Sequence, residues 1–173
     1  MLTMNRLPED AVRDSIKTPV GTLTLVASNE GLHAIVWRGE ALAALPRRGD
    51  HPVIEATKRQ LTEYFAKKRQ KFDLPLAPQG TAFQLAVWKE LRKIPYGKTI
   101  HYGEQARRVG DPNKARAVGT ANGQNPIAIV VPCPRVIAKT GGLAGFGGGI
   151  ENKKLLLELE GAAGAVAQRE LPL

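Results

Sequence analysis

Cys133 is the only cysteine in the 173-residue chain. A thiolate is a strong nucleophile, whereas a buried thiol behaves as a small and inert apolar group. The apolar run 127–131 precedes this residue and by itself favours the inert interpretation. Pro132 and Pro134 flank the cysteine and bias its backbone towards extended geometry. A lone cysteine cannot form an internal disulfide, so the thiol either packs in the core or does chemistry.

The remaining residues of the metal-binding types are dispersed. His33, His51 and His101 lie far apart in the sequence, and there is no second cysteine to join them. Recognisable zinc sites need closely spaced ligands. The sequence therefore predicts neither a metal site nor a cofactor.

The charge is concentrated in one part of the chain. Lys and Arg total 25 against 16 Asp and Glu, a net charge of +9. Residues 79–146 alone carry 10 basic and 3 acidic side chains, a net charge of +7. Because phosphate neutralisation dominates non-specific affinity for nucleic acids, this segment makes DNA or RNA the first partner to consider. A solvated basic surface is the alternative.

The first half of the chain is patterned as a small α+β domain. Alternating and β-branched residues over 15–27 predict two strands around a turn at Pro19 and Gly21, and a third strand is predicted over 32–37. Pro52 opens a helical pattern. The proline-containing stretch 74–80 ends the domain, which we predict to span 1–78 as an antiparallel meander plus a helix.

The second half is patterned as helices. Thr81 and Gln84 form a capping-box signature, and a short helix over 102–109 is followed by Gly110. Asp111 and Pro112 then predict the start of a further helix that runs to about residue 121. Two short helices joined by a tight turn predict a helix-turn-helix, so we expect an α+β protein with a winged-helix-like DNA-binding domain over 79–161. The run 127–131 predicts a buried strand or strand-like segment, and 162–173 predicts a flexible tail.

Several motifs of the second half occur together and in a specific order. They resemble the O6-alkylguanine-DNA alkyltransferases, and the resemblance is densest between residues 80 and 161. The motifs are Gly80-Thr81-x-Phe83-Gln84-x-x-Val87-Trp88, Ile94-Pro95-Tyr96-Gly97, Arg116-Ala117-Val118-Gly119-x-Ala121-Asn122, Asn125-Pro126, Pro132-Cys133, the glycine-rich stretch 141–149 and the segment 153–161.

The resemblance implies direct repair of DNA. A member of this family binds double-stranded DNA through the minor groove, flips the damaged guanine out of the stack, and moves its O6-alkyl group irreversibly to its own cysteine. Extrusion must come first because a stacked base cannot present its alkyl carbon for attack. O4-alkylthymine is a further substrate that the resemblance leaves open.

The resemblance also implies roles for individual residues. Cys133 would be the acceptor, assisted by Asn125 and Glu160. Arg116 would replace the extruded base, and Tyr102 would assist rotation of the nucleotide. Further DNA contacts are expected from Lys114 and Arg135, and the substrate pocket is expected to be lined by Phe146, Val136, Gly147, Lys153 and Trp88.

One residue departs from the family pattern. The usual motif is Pro-Cys-His-Arg-Val, in which the histidine relays the thiol proton, but position 134 is proline. General-base assistance contributes about 10²- to 10⁴-fold, so transfer should be slowed within that range unless another group substitutes. His101 is a candidate substitute base, although a phosphate or capping contact is the more ordinary role for such a histidine.

Two other functions stay open at this stage. A damage sensor that holds alkylguanine without transfer is favoured by Pro134 and disfavoured by the retained Cys133. A winged-helix regulator without chemistry would explain the basic segment alone. The polar N-terminus and the lack of 18 consecutive apolar residues predict an intracellular, cytoplasmic protein without a membrane span, and we expect a monomer.

Overall fold

The computed structural model describes residues 6–138 and 148–162. The chain separates into two compact units. The N-terminal unit comprises Met1–Gln79 together with Pro126–Ala128, and the C-terminal unit comprises Gly80–Asn125 together with Ile129–Leu173. Among the described residues, no helix is long and apolar enough to span a bilayer.

The N-terminal unit is built on a three-stranded antiparallel sheet in the order β1-β2-β3. The strands are β1 (Val12–Thr18), β2 (Gly21–Ser28) and β3 (Gly31–Val36), which confirms the predicted meander. Both turns need glycine: Gly21 has φ +102°, and Gly31 has φ +134° with the Pro75 carbonyl oxygen 2.5 Å from where a Cβ would stand. The loop after β3 also contains a short 3-10 turn, Glu40–Leu42.

One helix covers this sheet. Helix α1 (Pro52–Phe65) begins at the predicted proline, and the ring of His51 caps it by accepting from the Val53 amide at 3.2 Å. Its buried side chains include Ile54, Leu61 and Tyr64, which join the apolar residues of β2 and β3 in the core.

Residues 126–128 return to the N-terminal unit and extend the sheet. The amide of Ile35 donates to the Pro126 carbonyl at 2.9 Å, and the Ala128 amide donates to the Ile35 carbonyl at 3.1 Å. Ile127 thereby forms a parallel bridge with Ile35. The predicted strand over 127–131 is wrong beyond this bridge, because the chain turns at 128–130, although the whole run is buried as expected.

The C-terminal unit contains four helices within the described residues and a two-residue parallel strand pair. The helices are α2 (Ala82–Leu91), α3 (Tyr102–Val109), α4 (Ala115–Gly123) and α5 (Ile150–Leu159), and the strands are β4 (Ile100–His101) and β5 (Val136–Ile137). The predicted capping box is present: the Gln84 amide donates to Thr81 Oγ1 at 3.1 Å, and the Thr81 amide donates to Gln84 Oε1 at 2.9 Å.

Helices α3 and α4 form the predicted helix-turn-helix, with one correction to its second helix. Gly110 ends α3 in the left-handed region at φ +117°. The Asp111 carboxylate accepts from the Asn113 amide, but the cap closes a 3-10 turn over Pro112–Lys114. The α-helix therefore starts at Ala115 rather than at Pro112, and it continues to Gly123.

Candidate active site and nucleic-acid interface

Cys133 opens a short 3-10 turn, Cys133–Arg135, that leads directly into β5. The Cys133 amide donates to the Val131 carbonyl at 2.9 Å, and the Arg135 amide donates to the Pro132 carbonyl at 3.1 Å. Pro134 is buried, whereas Cys133 keeps partial exposure. The turn thus holds the thiol between two prolines without sealing the residue completely.

The chain before Cys133 is held by Asn125. Its Nδ2 donates to the Val131 carbonyl at 2.8 Å and closes a loop over 125–131. Inside this loop Ile129 lies in the left-handed region at φ 72° and is buried. A β-branched residue in this conformation costs on the order of 1–3 kcal/mol, so the surrounding contacts must impose it.

The electrostatics of the site keep the thiol protonated. Burial raises the pKa of the Cys133 thiol to about 11, while a hydrogen bond with Asn125 and the positive charge of Lys153 act in the opposite direction. At pH 7.5 a pKa of about 11 leaves on the order of one thiol in 3,000 ionised. A hydrogen bond from the backbone at Cys133 also lowers the pKa, but desolvation outweighs all three of these contributions.

Lys153 reaches this region from the first turn of α5. Its side chain is buried, with 1% exposure, and its Nζ donates to the Val136 carbonyl at 2.8 Å. Val136 is fully buried in β5. The ammonium thus supports the backbone that follows the cysteine and supplies the positive charge that Cys133 experiences.

Arg135 is committed to a buried ion pair. Its Nε donates to Glu160 Oε1 at 2.8 Å and its Nη2 donates to Oε2 at 3.0 Å, while Nη1 donates to the Ile94 carbonyl at 2.7 Å. The two side chains are 8% and 5% exposed. All three guanidinium nitrogens are used inside the protein, so these contacts do not support the predicted contact between Arg135 and DNA, which stays a prediction.

Glu160 is equally occupied. Its Oε1 also accepts from the Gly97 amide at 3.3 Å, and Gly97, at φ +78°, lies so close that its Cβ would be 2.9 Å from the Glu160 carbonyl oxygen. The Tyr96 hydroxyl donates to the Leu159 carbonyl at 3.2 Å, and the Arg135 guanidinium lies 5.8 Å from the Tyr96 ring centroid. Sequence reasoning identified this Pro-Tyr-Gly turn as a motif but missed that it clamps the end of α5.

Trp88 is buried in the core of the C-terminal unit. It is 3% exposed, and its Nε1 donates to the Ala121 carbonyl of α4 at 2.8 Å. Gly80 packs on its ring, with a Cβ there 2.7 Å from the indole carbons. The indole therefore joins α2 to α4, and the expectation that Trp88 lines the substrate pocket stays a prediction.

The helix-turn-helix presents cations to solvent. Lys114 and Arg116 are exposed, and the Lys114 ammonium lies 5.5 Å from the centroid of the Phe83 ring. The Tyr102 ring lies beside α4, 3.6 Å from where a Cβ of Gly119 would stand. Burial, and then the charge of Cys133, raise the pKa of Tyr102. The structure therefore brings Tyr102 near both the second helix and the cysteine.

A charge cluster on α3 was missed by sequence reasoning. Glu104 accepts from Arg107 Nη2 at 2.7 Å and from Arg108 Nε at 3.0 Å, and hydrogen bonds to the two arginines lower the pKa of Glu104 to about 2. Arg107 and Arg108 follow Glu104 at i+3 and i+4, and these spacings are the sequence signal that could have revealed the cluster. Two of the basic side chains that make this segment positive are thus partly neutralised within the helix.

Three further predictions have different outcomes. Phe146 and Gly147 lie outside the described residues. His101 precedes α3 without capping it through its side chain, and within 6–138 and 148–162 its buried Nδ1 has no hydrogen-bond partner. Within those same residues, no group of three or more histidine, cysteine or carboxylate side chains is placed to hold a metal ion.

The fold and the site together define a class: a DNA-binding protein whose helix-turn-helix unit also holds a partly exposed cysteine. Two family models match the chain, described as the ribonuclease-like domain of 6-O-methylguanine DNA methyltransferase over residues 12–78 and its DNA binding domain over residues 82–162. The chain belongs to the 6-O-methylguanine DNA methyltransferase family.

Named relatives agree with this assignment. The methylated-DNA–protein-cysteine methyltransferase of Methanosarcina acetivorans is 43% identical over 149 residues, covering 84% of this chain and 96% of that protein. The protein of the same name from Mycobacterium tuberculosis is 46% identical over 150 residues, covering 84% and 90%.

Solved structures are similar as well. The crystal structure of the M. tuberculosis O6-methylguanine methyltransferase matches with a TM-score of 0.80 at 43% identity, covering 88% of this chain and 94% of that chain. The structure of M. tuberculosis OGT in complex with DNA matches with a TM-score of 0.79 at 45% identity, covering 86% and 92%.

Proposed function

We propose that the protein repairs O6-alkylguanine in double-stranded DNA by direct reversal, moving the alkyl group irreversibly to Cys133. The observation that carries this proposal is the partly exposed Cys133 in the same unit as a helix-turn-helix with exposed cations. Relatives that match 84% of this chain are named methylated-DNA–protein-cysteine methyltransferases, which supports the same reaction here.

The chemical step is a displacement at saturated carbon. The Cys133 thiol loses its proton, and the sulfur attacks the alkyl carbon on the side opposite O6. The S–C bond forms as the C–O6 bond breaks, guanine keeps the electron pair of that bond, and it gains a proton. The product is a thioether, so each molecule acts once.

Binding must expose the base before this step. Lys114 contacts the phosphate backbone, Arg116 enters the minor groove and occupies the space of the extruded base, and Tyr102 assists rotation of the nucleotide. Extrusion costs a few kcal/mol, which these contacts offset. The family resemblance assigns Val136 to the pocket that receives the guanine.

Activation of the thiol proceeds without the usual histidine. Asn125 and Lys153 are the groups that lower the pKa of Cys133, and burial opposes them. Positioning of the alkyl carbon against the sulfur supplies the rest of the rate. Glu160 acts indirectly, by holding Arg135 and with it the turn that starts at Cys133.

The chain is organised for this task as a domain over 1–78, an alkyltransferase domain over 79–161 and a tail over 162–173. It acts as a monomer, with O4-alkylthymine as a further substrate. It acts in the cytoplasm.

A second candidate is a sensor that holds alkylguanine and transfers its alkyl group very slowly. Two observations favour it: Pro134 cannot accept a proton, and the thiol pKa is about 11. Such a protein would keep lesion affinity and lose most of its chemistry.

One experiment separates these functions. The protein is incubated with a duplex oligonucleotide that contains a single O6-methylguanine, and its intact mass and peptide map are followed with time. A gain of one methyl group on Cys133 supports repair, and the unmodified duplex and Cys133→Ser serve as controls. Lesion-selective retention without mass gain supports the sensor, and equal affinity for both duplexes without mass gain leaves a DNA-binding regulator.

A further inference from the structure

A reciprocal pair of amides is buried between the two helices of the helix-turn-helix. Gln105 of α3 is fully buried and Asn122 of α4 is 3% exposed. The Gln105 Nε2 donates to Asn122 Oδ1 at 2.9 Å, and the Asn122 Nδ2 donates to Gln105 Oε1 at 2.7 Å. Each side chain therefore satisfies the other with two hydrogen bonds.

Stability alone does not explain this pair. Removing one partner leaves a buried amide without its hydrogen bonds, which is costly, whereas replacing both by apolar side chains of similar shape is close to neutral. What two directional hydrogen bonds add is a preferred relative position of the two helices, because apolar packing alone tolerates sliding and rotation more easily.

The pair lies next to the contact that brings the site residues together. Tyr102 packs beside Gly119, and Gln105 and Asn122 each lie three residues further along the same two helices. Residues three apart on a helix are neighbours on one face, so the two contacts are adjacent layers of one interface. A shift in the amide layer therefore moves Tyr102 relative to α4, which also carries Arg116.

We propose that Gln105 and Asn122 are positioning residues that set the register of α4 on α3. The pair keeps Arg116 at the position relative to α3 from which its side chain can replace the extruded base. In the same arrangement, Tyr102 faces the extruded nucleotide. This inference rests on the proposed function, since it assigns the pair to the base-extrusion step of that reaction.

The test compares Gln105→Leu, Asn122→Leu, the double leucine variant and the exchanged pair Gln105→Asn with Asn122→Gln. Each variant is measured for Tm, for the single-turnover transfer rate at saturating O6-methylguanine duplex, and for extrusion of 2-aminopurine placed at the lesion position. Either single leucine variant lowers Tm. The double variant regains Tm, because the Trp88 indole still holds α4 through Ala121, but its rate stays about 10- to 100-fold low and its fluorescence gain is reduced.

A matched control comes from the N-terminal unit. Gln60 is 3% exposed and makes two similar hydrogen bonds, with its Nε2 donating to the Asp73 carbonyl at 2.9 Å and its Oε1 accepting from the Asp73 amide at 2.8 Å. Gln60→Leu should lower Tm and leave both the saturated transfer rate and the fluorescence gain unchanged.

The outcomes are separable. A double leucine variant that folds and matches the original protein within twofold in both rate and fluorescence overturns the positioning role. If that variant does not fold, the exchanged pair decides: recovery of the rate supports the proposal, and a folded exchanged pair as slow as the single variants overturns it. If the original protein shows no transfer, the proposed function fails, but the 2-aminopurine signal still judges the pair.

Discussion

Cys133 and Arg135 belong to one short turn, and yet the thiol and the ion pair between Arg135 and Glu160 occupy opposite electrostatic environments. The thiol is desolvated, its pKa is raised to about 11, and Asn125 and Lys153 lower that pKa only in part. Two residues later, the Arg135 guanidinium donates to two carboxylate oxygens and a carbonyl. The glutamate that the family resemblance assigns to proton relay is held by the arginine, so the charged pair stabilises the turn while the nucleophile is left without a base.

The first way to test this division is to remove the sulfur. Cys133→Ser should abolish transfer, because a hydroxyl is a far weaker nucleophile, and should leave lesion-duplex affinity within about twofold, since the DNA contacts lie on other residues. Intact mass and a binding titration measure the two effects. A large loss of affinity would contradict the separation of chemistry from binding.

The second test restores a base beside the thiol by replacing Pro134. Pro134→His should raise the transfer rate at pH 7.5 by about 10²-fold, the lower end of the usual contribution of a general base, because Glu160 is already occupied by Arg135. Single-turnover kinetics give the rate, and Pro134→Ala controls for loss of the proline ring. An equal rate in all three proteins would mean that proton relay does not limit the reaction.

The pH dependence should report the raised thiol pKa. Only the thiolate reacts, so the rate should rise about tenfold per pH unit between pH 7 and 9, well below the thiol pKa of about 11. The raised pKa of Tyr102 keeps its phenol protonated over this range. A plateau below pH 8 would show that DNA binding lowers the thiol pKa, and Pro134→His should flatten the slope.

Removing one partner of the Arg135–Glu160 ion pair should lower the free energy of unfolding more than replacing both partners. Glu160→Gln leaves the Arg135 charge buried and should lower the free energy of unfolding by about 3–5 kcal/mol, whereas the double change Arg135→Met with Glu160→Leu should recover most of that loss. Urea unfolding of each variant measures it. Asp50→Asn, which breaks the exposed ion pair between Arg48 and Asp50, is the control and should unfold like the original protein. Equal losses for the single and double changes would contradict this account.

The smallest effect is expected at the DNA-facing lysine. Lys114→Ala should weaken binding to lesion and undamaged duplexes equally and reduce the salt dependence of binding by about one phosphate contact. Lys68→Ala, a change of an exposed lysine in the N-terminal unit, is the matched control and should leave the salt dependence unchanged. An equal effect of both changes would mean that Lys114 acts only through net charge.

Local sequence signals predicted the secondary structure better than they predicted the contacts between side chains. The Thr81–Gln84 capping box, the Gly110 helix end and the β1-β2-β3 meander are confirmed because each depends on neighbours within a few residues. The strand predicted over 127–131 and the helix start at Pro112 were wrong. In the first case a left-handed Ile129 turns the chain, and in the second the Asp111 cap closes a 3-10 turn first.

Side-chain roles that depend on distant partners were not predictable in this way. Arginine is a residue type that often contacts DNA, but the Arg135 guanidinium is buried in an ion pair with Glu160, 25 residues later in the chain. Tryptophan is a residue type that often lines pockets, but the Trp88 indole Nε1 donates a hydrogen bond to the Ala121 carbonyl at 2.8 Å. Charge and aromaticity are properties of one residue, whereas the partner of a side chain depends on how the elements pack.

By itself the sequence determined the α+β class, the helix-turn-helix, the single thiol and the absence of the usual histidine at Pro134, since all of these are properties of residue type and short-range order. Only the tertiary structure decided what surrounds that thiol. The raised pKa of Cys133, the pairing of Glu160 with Arg135 and the Gln105–Asn122 link arise from residues 8 to 25 positions apart that packing brings within hydrogen-bond or Coulombic range. Burial and hydrogen bonding act through space, so their balance at one sulfur atom is not written in the neighbours of Cys133 along the chain.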